Sequence, residues 1–127
     1  MEEDQQDVAE GDGQAWAARA AAVAESHKAQ DVVVLDMSEV TLLADYFVIM
    51  TGQSVRQVDA LADDVEEALA AAGAQLRHRE GRNRAHWVLL DYGDVIVHIF
   101  TPDERRYYDL ERLWGDARRV GAASGST

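Results

Sequence analysis

The stretch that decides the fold is Trp87-Val-Leu-Leu-Asp-Tyr-Gly-Asp-Val-Ile-Val-His-Ile-Phe100. Two apolar runs flank Tyr92-Gly93, and glycine suits a turn position with positive φ, so the stretch predicts two strands, about 86–91 and 94–100, joined as an antiparallel hairpin. Side chains alternate between the two faces of a sheet. One face of this hairpin is purely aliphatic and belongs to the core: Val88, Leu90, Val95, Val97 and Ile99.

The other face of the hairpin is mixed in character. If Asp91 pairs with Asp94, Leu89 lies opposite Ile96, and further along the strands Trp87 lies opposite His98. An aromatic and aliphatic patch with a carboxylate rim and an imidazole is typical of a docking surface. A helix that covers this face would instead make Trp87 a core residue, and both interpretations remain open. The face comprises Trp87, Leu89, Asp91, Asp94, Ile96 and His98.

The first half of the chain predicts two helices and two buried strands. Apolar residues at helical spacing indicate a helix over 14–27. Continuous apolar runs at 32–35 and 46–50 indicate strands that are covered on both faces, in the middle of a sheet. Ser54 and Gln57 form a capping-box pair that begins the second helix, and Gly73 ends it.

The second half adds a short edge strand and a last helix. The residues 75–78 predict a short edge strand, followed by a polar loop over 80–84. Thr101 caps the last helix, Pro102 takes its first position and Glu104 completes a capping box. The order α-β-β-α-(β)-β-β-α predicts an α/β fold with a mixed sheet flanked by helices.

Length and composition favour one soluble domain. The 127 residues hold a single core over 14–120, with disordered tails predicted at 1–13, which is acidic, and at 121–127. No apolar run approaches the roughly 18–20 residues that span a bilayer, and the acidic start is unlike a secretory signal, so we expect a cytoplasmic protein. Cysteine is absent, which excludes disulfides and thiolate metal sites. The net charge of −12 disfavours non-specific nucleic-acid binding and favours basic partners.

An enzymatic function is the first alternative to weigh. Thr51-Gly-Gln-Ser54 joins a buried strand to a helix, where anions bind, and it is similar to the Gly-Ser turn of nucleotidyltransferases. Those enzymes hold metal ions with an Asp-x-Asp pair on the next strand. Asp63-Asp64 are adjacent and helical here, and Asp36 has no acidic partner two residues on. We therefore predict no catalysis, no metal and no cofactor, and interpret His98 as a packed or interface residue.

The Arg105-Arg-Tyr-Tyr108 cluster is the second alternative, because basic and aromatic side chains together can contact RNA. Tyr107, Leu110 and Trp114 share helical spacing, however. Packing of this helix onto the domain is the favoured interpretation, with the arginines left free for an acidic neighbour.

Four segments together resemble the ribosomal silencing factor (Iojap-like) family. They follow in the family's order and span about residues 14–119, which makes the resemblance specific. The segments are Asp31-Val-Val-Val-Leu-Asp36, 44–52, 87–100 and 106–114.

This resemblance implies a fold with nucleotidyltransferase-like topology that lacks the catalytic carboxylates. It implies a basic partner, protein fourteen of the large ribosomal subunit, on the face that meets the small subunit. Binding there blocks joining of the subunits and represses translation when nutrients are scarce; organellar relatives act in large-subunit assembly. Family members tend to form homodimers. We expect neither a membrane nor a sequence-specific nucleic acid among the partners of this chain. The family's partner-facing positions correspond here to Trp87, Leu89, Asp91, Asp94 and His98.

Overall fold

The computed structural model describes residues 2–120, and within that range the side chains of 12–112 and 114–120. The predicted C-terminal tail, 121–127, lies outside the described residues. The side chains of the acidic segment 1–11 also lie outside them, so that disorder of the N-terminal tail stays a prediction. No helix in the described part of the chain is long and apolar enough to cross a membrane.

The described residues form one six-stranded mixed sheet in the order β3-β4-β5-β2-β1-β6. The parallel pair is β2 with β5, and the other neighbours are antiparallel. The α/β prediction is therefore confirmed, with both buried strands inside the sheet. The strands are β1 Gln30–Asp36, β2 Tyr46–Thr51, β3 His78–Glu80, β4 Trp87–Asp91, β5 Val95–Phe100 and β6 Arg118–Arg119.

Two long helices cover one face of the sheet: α1, Glu2–Ser26, and α2, Val55–Ala71. Ser54 Oγ accepts a hydrogen bond from the Gln57 amide, as predicted for the start of α2. The core beneath the helices includes the aliphatic hairpin face, each of whose five predicted side chains is fully buried. From α1 it takes small residues that let the helix approach closely: Ala17, Ala20, Ala21 and Ala24.

The opposite face of the sheet carries a second, smaller core built around aromatic rings. The loop after β1 contributes Met37 and Ala44, and the C-terminal segment contributes Leu110 and Trp114. That segment follows one short helix, α3, Pro102–Tyr108, and begins with another, α4, Leu110–Leu113. The sheet thus has helices on both faces, and this second face is only partly covered.

Three boundaries differ from the sequence predictions. The helix α1 has the bounds Glu2–Ser26, whereas the predicted helix begins near Gln14. The edge strand lies at His78–Glu80 rather than 75–78, because it pairs with β4 from Leu89 to Asp91. The last helix is broken at Asp109, whose φ of 49° interrupts the helical repeat. Aspartate tolerates this left-handed conformation better than most residues do.

The cap of α3 also differs from the prediction. Thr101 is the N-cap residue and Pro102 takes the first position, but the Thr101 side chain makes no capping hydrogen bond. Its amide instead donates to the His86 carbonyl oxygen, with the hydroxyl 3.5 Å from His86 Nδ1. The predicted capping box is therefore wrong, because the Thr101 amide is paired with the His86 carbonyl oxygen just before β4 and its side chain caps no amide of α3.

Candidate functional site

The β4–β5 hairpin places the predicted partner-facing residues on one face, although in a different register. Asp91 lies opposite Ile96 and Leu89 opposite His98, a shift of two residues from the predicted pairing. The Tyr92 amide donates to the Val95 carbonyl oxygen, so that the turn is centred on Gly93-Asp94. Gly93 has a φ of 89°, as suits a turn with glycine at its first central position. A shift of two keeps the side chains of both strands on their predicted faces. Asp94 is now a turn residue, and a Cβ atom on Gly13 of α1 would stand 3.2 Å from its Cβ.

Trp87 lies near the boundary between core and surface. Its ring is half-buried, stacked on Phe100 with centroids 5.3 Å apart, and Tyr108 from α3 lies 4.6 Å away. The end of α3 thus covers one side of the indole and leaves part of it accessible. Neither of the two sequence interpretations of Trp87 describes it fully, because it both packs on the second core and contributes to the surface.

His98 lies behind Trp87 and is only 5% exposed. It stands on the inner strand β5, opposite Leu89 on β4 and Ile49 on β2, with the Phe47 ring 4.9 Å away. Burial lowers the pKa of His98 to about 4, so that its ring is neutral near pH 7. In this conformation His98 presents almost no surface to a partner, which agrees with the packed interpretation and not with direct contact on the docking face. The reason is the aromatic packing that covers its strand.

The two acidic residues beside the turn have different environments. Asp91 is half-buried, and its Oδ1 accepts a hydrogen bond of 2.8 Å from the Gly93 amide, which is a turn-stabilising role. Asp94 is exposed, while its carbonyl oxygen accepts from the amides of Asp45 and Tyr46 and joins the turn to the start of β2. The backbone of Asp94 is therefore fixed, and its side chain is exposed to solvent.

The end of α3 adds two exposed aromatic residues to the edge of this surface. Tyr107 is 78% exposed, whereas its spacing with Leu110 and Trp114 predicted packing against the domain. That prediction is wrong because the break at Asp109 turns Tyr107 away from the sheet while Leu110 and Trp114 still pack on the second core. Tyr108 contacts Trp87, a neighbour that the sequence did not predict, and is a further candidate for this surface. We name the surface formed by Trp87, Leu89, Asp91, Asp94, Ile96 and Tyr108 the hairpin surface.

Arg105 is part of the protein's internal structure rather than free for a partner. Its Nη1 donates to the Asp31 carbonyl oxygen over 2.6 Å and to Thr51 Oγ1 over 2.9 Å, and its Nη2 pairs with Glu111. Arg106 is exposed and pairs with Asp103. The expectation that both arginines are left free is therefore wrong for Arg105, which ties α3 and α4 to the ends of β1 and β2.

The turn considered as a phosphate cradle is occupied by its own side chains. Ser54 Oγ accepts from the Gln57 amide, Gln57 Oε1 accepts from the Gln53 amide, and Thr51 is buried beside Arg105. The local amides that an anion would need are thus already paired at two positions.

The acidic residues considered as metal ligands do not converge. Asp36 accepts from Ser38 and pairs with Arg118, and the hydrogen bonds from Ser38 hold its pKa below the usual value. Asp63 and Asp64 turn to Arg79 and to His27, respectively. Within the described residues, no three acidic or histidine side chains are grouped as a metal ion would require.

Comparison with known proteins finds similar sequences and structures over most of the chain. The family described as "ribosomal silencing factor during starvation" matches residues 11–126. The ribosomal silencing factor of Bacillus subtilis is 48% identical over 98 residues, which are 77% of this chain and 83% of that protein. The crystal structure of a Chromobacterium violaceum protein superposes with a TM-score of 0.77 at 42% identity, covering 80% of this chain and 85% of that one.

More distant relatives come from organelles. The chloroplastic protein Iojap of Arabidopsis thaliana is 31% identical over 84% of this chain and 44% of its own length. A mouse protein named for mitochondrial assembly of the large ribosomal subunit is 29% identical over 68% of this chain and 39% of its own length. The match to the family model includes both strands that build the hairpin surface. The chain belongs to the ribosomal silencing factor family.

Proposed function

We propose that this protein binds the large ribosomal subunit through a basic ribosomal protein and so prevents the small subunit from joining. The partner is protein fourteen of the large subunit, on the face that meets the small subunit, and the outcome is repression of translation. The observation that carries the proposal is the hairpin surface of a family member, with a half-buried tryptophan at one end and carboxylates near the turn at the other. Family membership and the mouse relative's link to large-subunit assembly support the ribosome as the target.

The arrangement of the hairpin surface fits a protein partner. Interfaces commonly have an aromatic centre surrounded by polar groups, and tryptophan and tyrosine are enriched in them. Here the Trp87 and Tyr108 rings form the aromatic part, and Asp91 and Asp94 form the acidic rim. The rigid hairpin beneath them would change little on binding, which lowers the entropic cost of association.

Electrostatics favour a basic partner over bare RNA. The chain carries 24 acidic against 12 basic residues, and Asp94 is exposed at the turn of the hairpin. Such a field steers positively charged surfaces toward it and repels phosphate backbones. We accordingly propose contact with ribosomal protein rather than sequence-specific recognition of ribosomal RNA.

The remaining parts of the proposal follow the family. We propose a regulatory protein without catalytic activity that acts in the cytoplasm as a homodimer, with a role in assembly of the large subunit as a second possibility. The engagement of Asp36 by Arg118, and of the Thr51–Ser54 turn by Arg105 and Gln57, supports a non-enzymatic role. The mouse relative's name is the observation that favours the assembly role.

Sedimentation with separated ribosomal subunits tests the proposed function. The protein is expected to pellet with large subunits and to stay in the supernatant with small ones. Prior addition to large subunits should then lower the fraction of joined ribosomes on a sucrose gradient. Pelleting with both subunits, or with neither, contradicts the proposal, and binding without loss of joining would leave the assembly role.

A further inference from the structure

The indole of Trp87 is held by a hydrogen bond to the ring behind it. Its Nε1–H donates to Nδ1 of His98 over 3.3 Å, between residues that are not directly opposite in the hairpin. Trp87 is half-buried and His98 fully so. The acceptor thus lies in the interior, and the donor belongs to a ring that reaches the surface.

The His98 ring itself has little freedom to move. Its plane is within 4° of that of Phe100 at a centroid distance of 6.0 Å, and Phe47 packs against it from β2. The Trp87 ring stacks over the same Phe100. A hydrogen-bond acceptor fixed in this way restrains the rotation of the indole about its side-chain bonds.

The protonation state of His98 follows from the hydrogen bond. Because Nδ1 accepts, the proton of the neutral ring is on Nε2. Nε2 is buried and has no hydrogen-bond partner among the described residues. A buried polar atom without a partner destabilises the fold, and a phenylalanine of similar size would avoid that cost. For stability alone, histidine is therefore not the best residue at this position.

We propose that His98 is a positioning residue for partner binding, which holds the Trp87 indole in the orientation that meets the partner. This rests on the proposed function, in which Trp87 is the centre of the hairpin surface. His98 acts through Trp87 and does not itself contact the partner. The gain is pre-organisation: an indole that is already ordered loses less conformational entropy when the complex forms.

Two substitutions separate positioning from structural support. His98→Phe keeps an aromatic ring in the same packing and removes the acceptor. His98→Asn is smaller, but its side-chain oxygen stands near the place of Nδ1 and can accept from the indole. We expect His98→Phe to melt at the wild-type temperature or above it and yet to bind large subunits about fivefold more weakly. His98→Asn should melt at a lower temperature than His98→Phe and yet bind large subunits more tightly. The two variants should therefore rank in opposite order by stability and by affinity.

The indole resonance of Trp87 provides a readout that does not need the ribosome. The chain has three tryptophans, so the indole N–H signals in a proton–nitrogen spectrum are readily assigned with Trp87→Phe. In His98→Phe the Trp87 signal should shift and its nitrogen relaxation should report a more mobile ring. In the Trp87→Ala background, His98→Phe should have no further effect on binding.

The outcomes distinguish this inference from the proposed function. Failure of the wild-type protein to bind large subunits contradicts the proposed function. Wild-type affinity of His98→Phe, or an unchanged order of the Trp87 indole in that variant, overturns the positioning role even if the ribosome is the partner. An equal loss of binding from His98→Phe with and without Trp87 overturns it as well, since the effect would not pass through the indole.

Discussion

The backbone of Gly81 lies directly against Trp87: a Cβ atom on Gly81 would stand 2.3 Å from the Trp87 carbonyl oxygen. Gly81 also has a φ of 88°, which side-chain-bearing residues rarely adopt. The loop that leaves β3 therefore passes close to the first residue of β4, and glycine is required there for two separate reasons.

Gly81→Ala is expected to destabilise the protein by about 2–5 kcal/mol, since it combines a positive φ with a clash against backbone. Gly73→Ala is the matched control, because Gly73 has a φ of 94° and open space around its Cβ position. That variant should lose only about 1–2 kcal/mol from the backbone conformation. Denaturant unfolding of both variants measures the difference, and equal losses would show that the close contact with Trp87 is unimportant.

The faces of the hairpin could be predicted from the sequence, whereas its register could not. Alternation assigns Val88 and Trp87 to opposite faces whichever turn is used. Centring the turn on Gly93-Asp94 instead of Tyr92-Gly93 moves the pairing by two residues, and both choices satisfy the apolar pattern. The structure uses the positive φ of Gly93 at the first central position, with Tyr92 buried and paired to Val95.

The burial of each candidate site residue could not be predicted from the sequence either. His98 is buried because Phe47, more than fifty positions earlier, packs on it from β2, a contact that local spacing cannot show. Tyr107 is exposed and Tyr108 meets Trp87 because a single residue, Asp109, breaks an otherwise regular helical pattern. Long-range packing and one left-handed residue thus decide which predicted side chains reach the surface.

The burial of His98 makes stability depend on acidic pH. Above the unfolded-state pKa of 6.5 the ring is neutral in both states. Below it the unfolded chain takes up a proton first, so the free energy of unfolding falls as the pH drops from 6.5 toward the folded-state pKa of about 4. The loss attributable to His98 is roughly 3 kcal/mol over this window. Below about pH 4 the folded state also binds the proton and the loss from this group stops growing.

His98→Phe provides the reference for this pH dependence. Urea unfolding of both proteins between pH 7 and pH 4 should give curves that diverge as the pH falls, with the variant the less sensitive. Other groups titrate in both proteins alike, so that the difference between the curves isolates His98. Parallel curves would mean that the folded-state pKa of His98 is close to its ordinary value.

Truncation of Trp87 tests the centre of the hairpin surface. Trp87→Ala should weaken binding to large subunits by roughly thirtyfold, or about 2 kcal/mol, as expected for an aromatic interface anchor. The ring is only half-buried, so the loss of stability should remain below the roughly 3–5 kcal/mol of a fully buried aromatic residue. Trp16→Ala is the control, because Trp16 is also half-buried but packs with α1 on the other face. It should cost stability and leave the affinity unchanged; a folded Trp87→Ala that binds normally would exclude Trp87 from the interface.

The last prediction concerns the position of the negative charge. Asp94 is exposed at the turn that ends the hairpin, whereas Glu67 is exposed on α2, which covers the face of the sheet opposite to Trp87. Asp94→Asn and Glu67→Gln remove the same charge, so the two variants separate local steering from the effect of the net charge of −12. Asp94→Asn should slow association with large subunits roughly twofold at low salt, while dissociation changes little.

The effect of Asp94→Asn should fade at physiological ionic strength, where the screening length is about 8 Å rather than about 30 Å at 0.01 M salt. Glu67→Gln should leave the association rate near that of the wild-type protein at both salt concentrations. Stopped-flow measurements with labelled protein provide the rates. Equal slowing by both substitutions would attribute steering to the overall charge, and no slowing by either would remove the acidic rim from the binding mechanism.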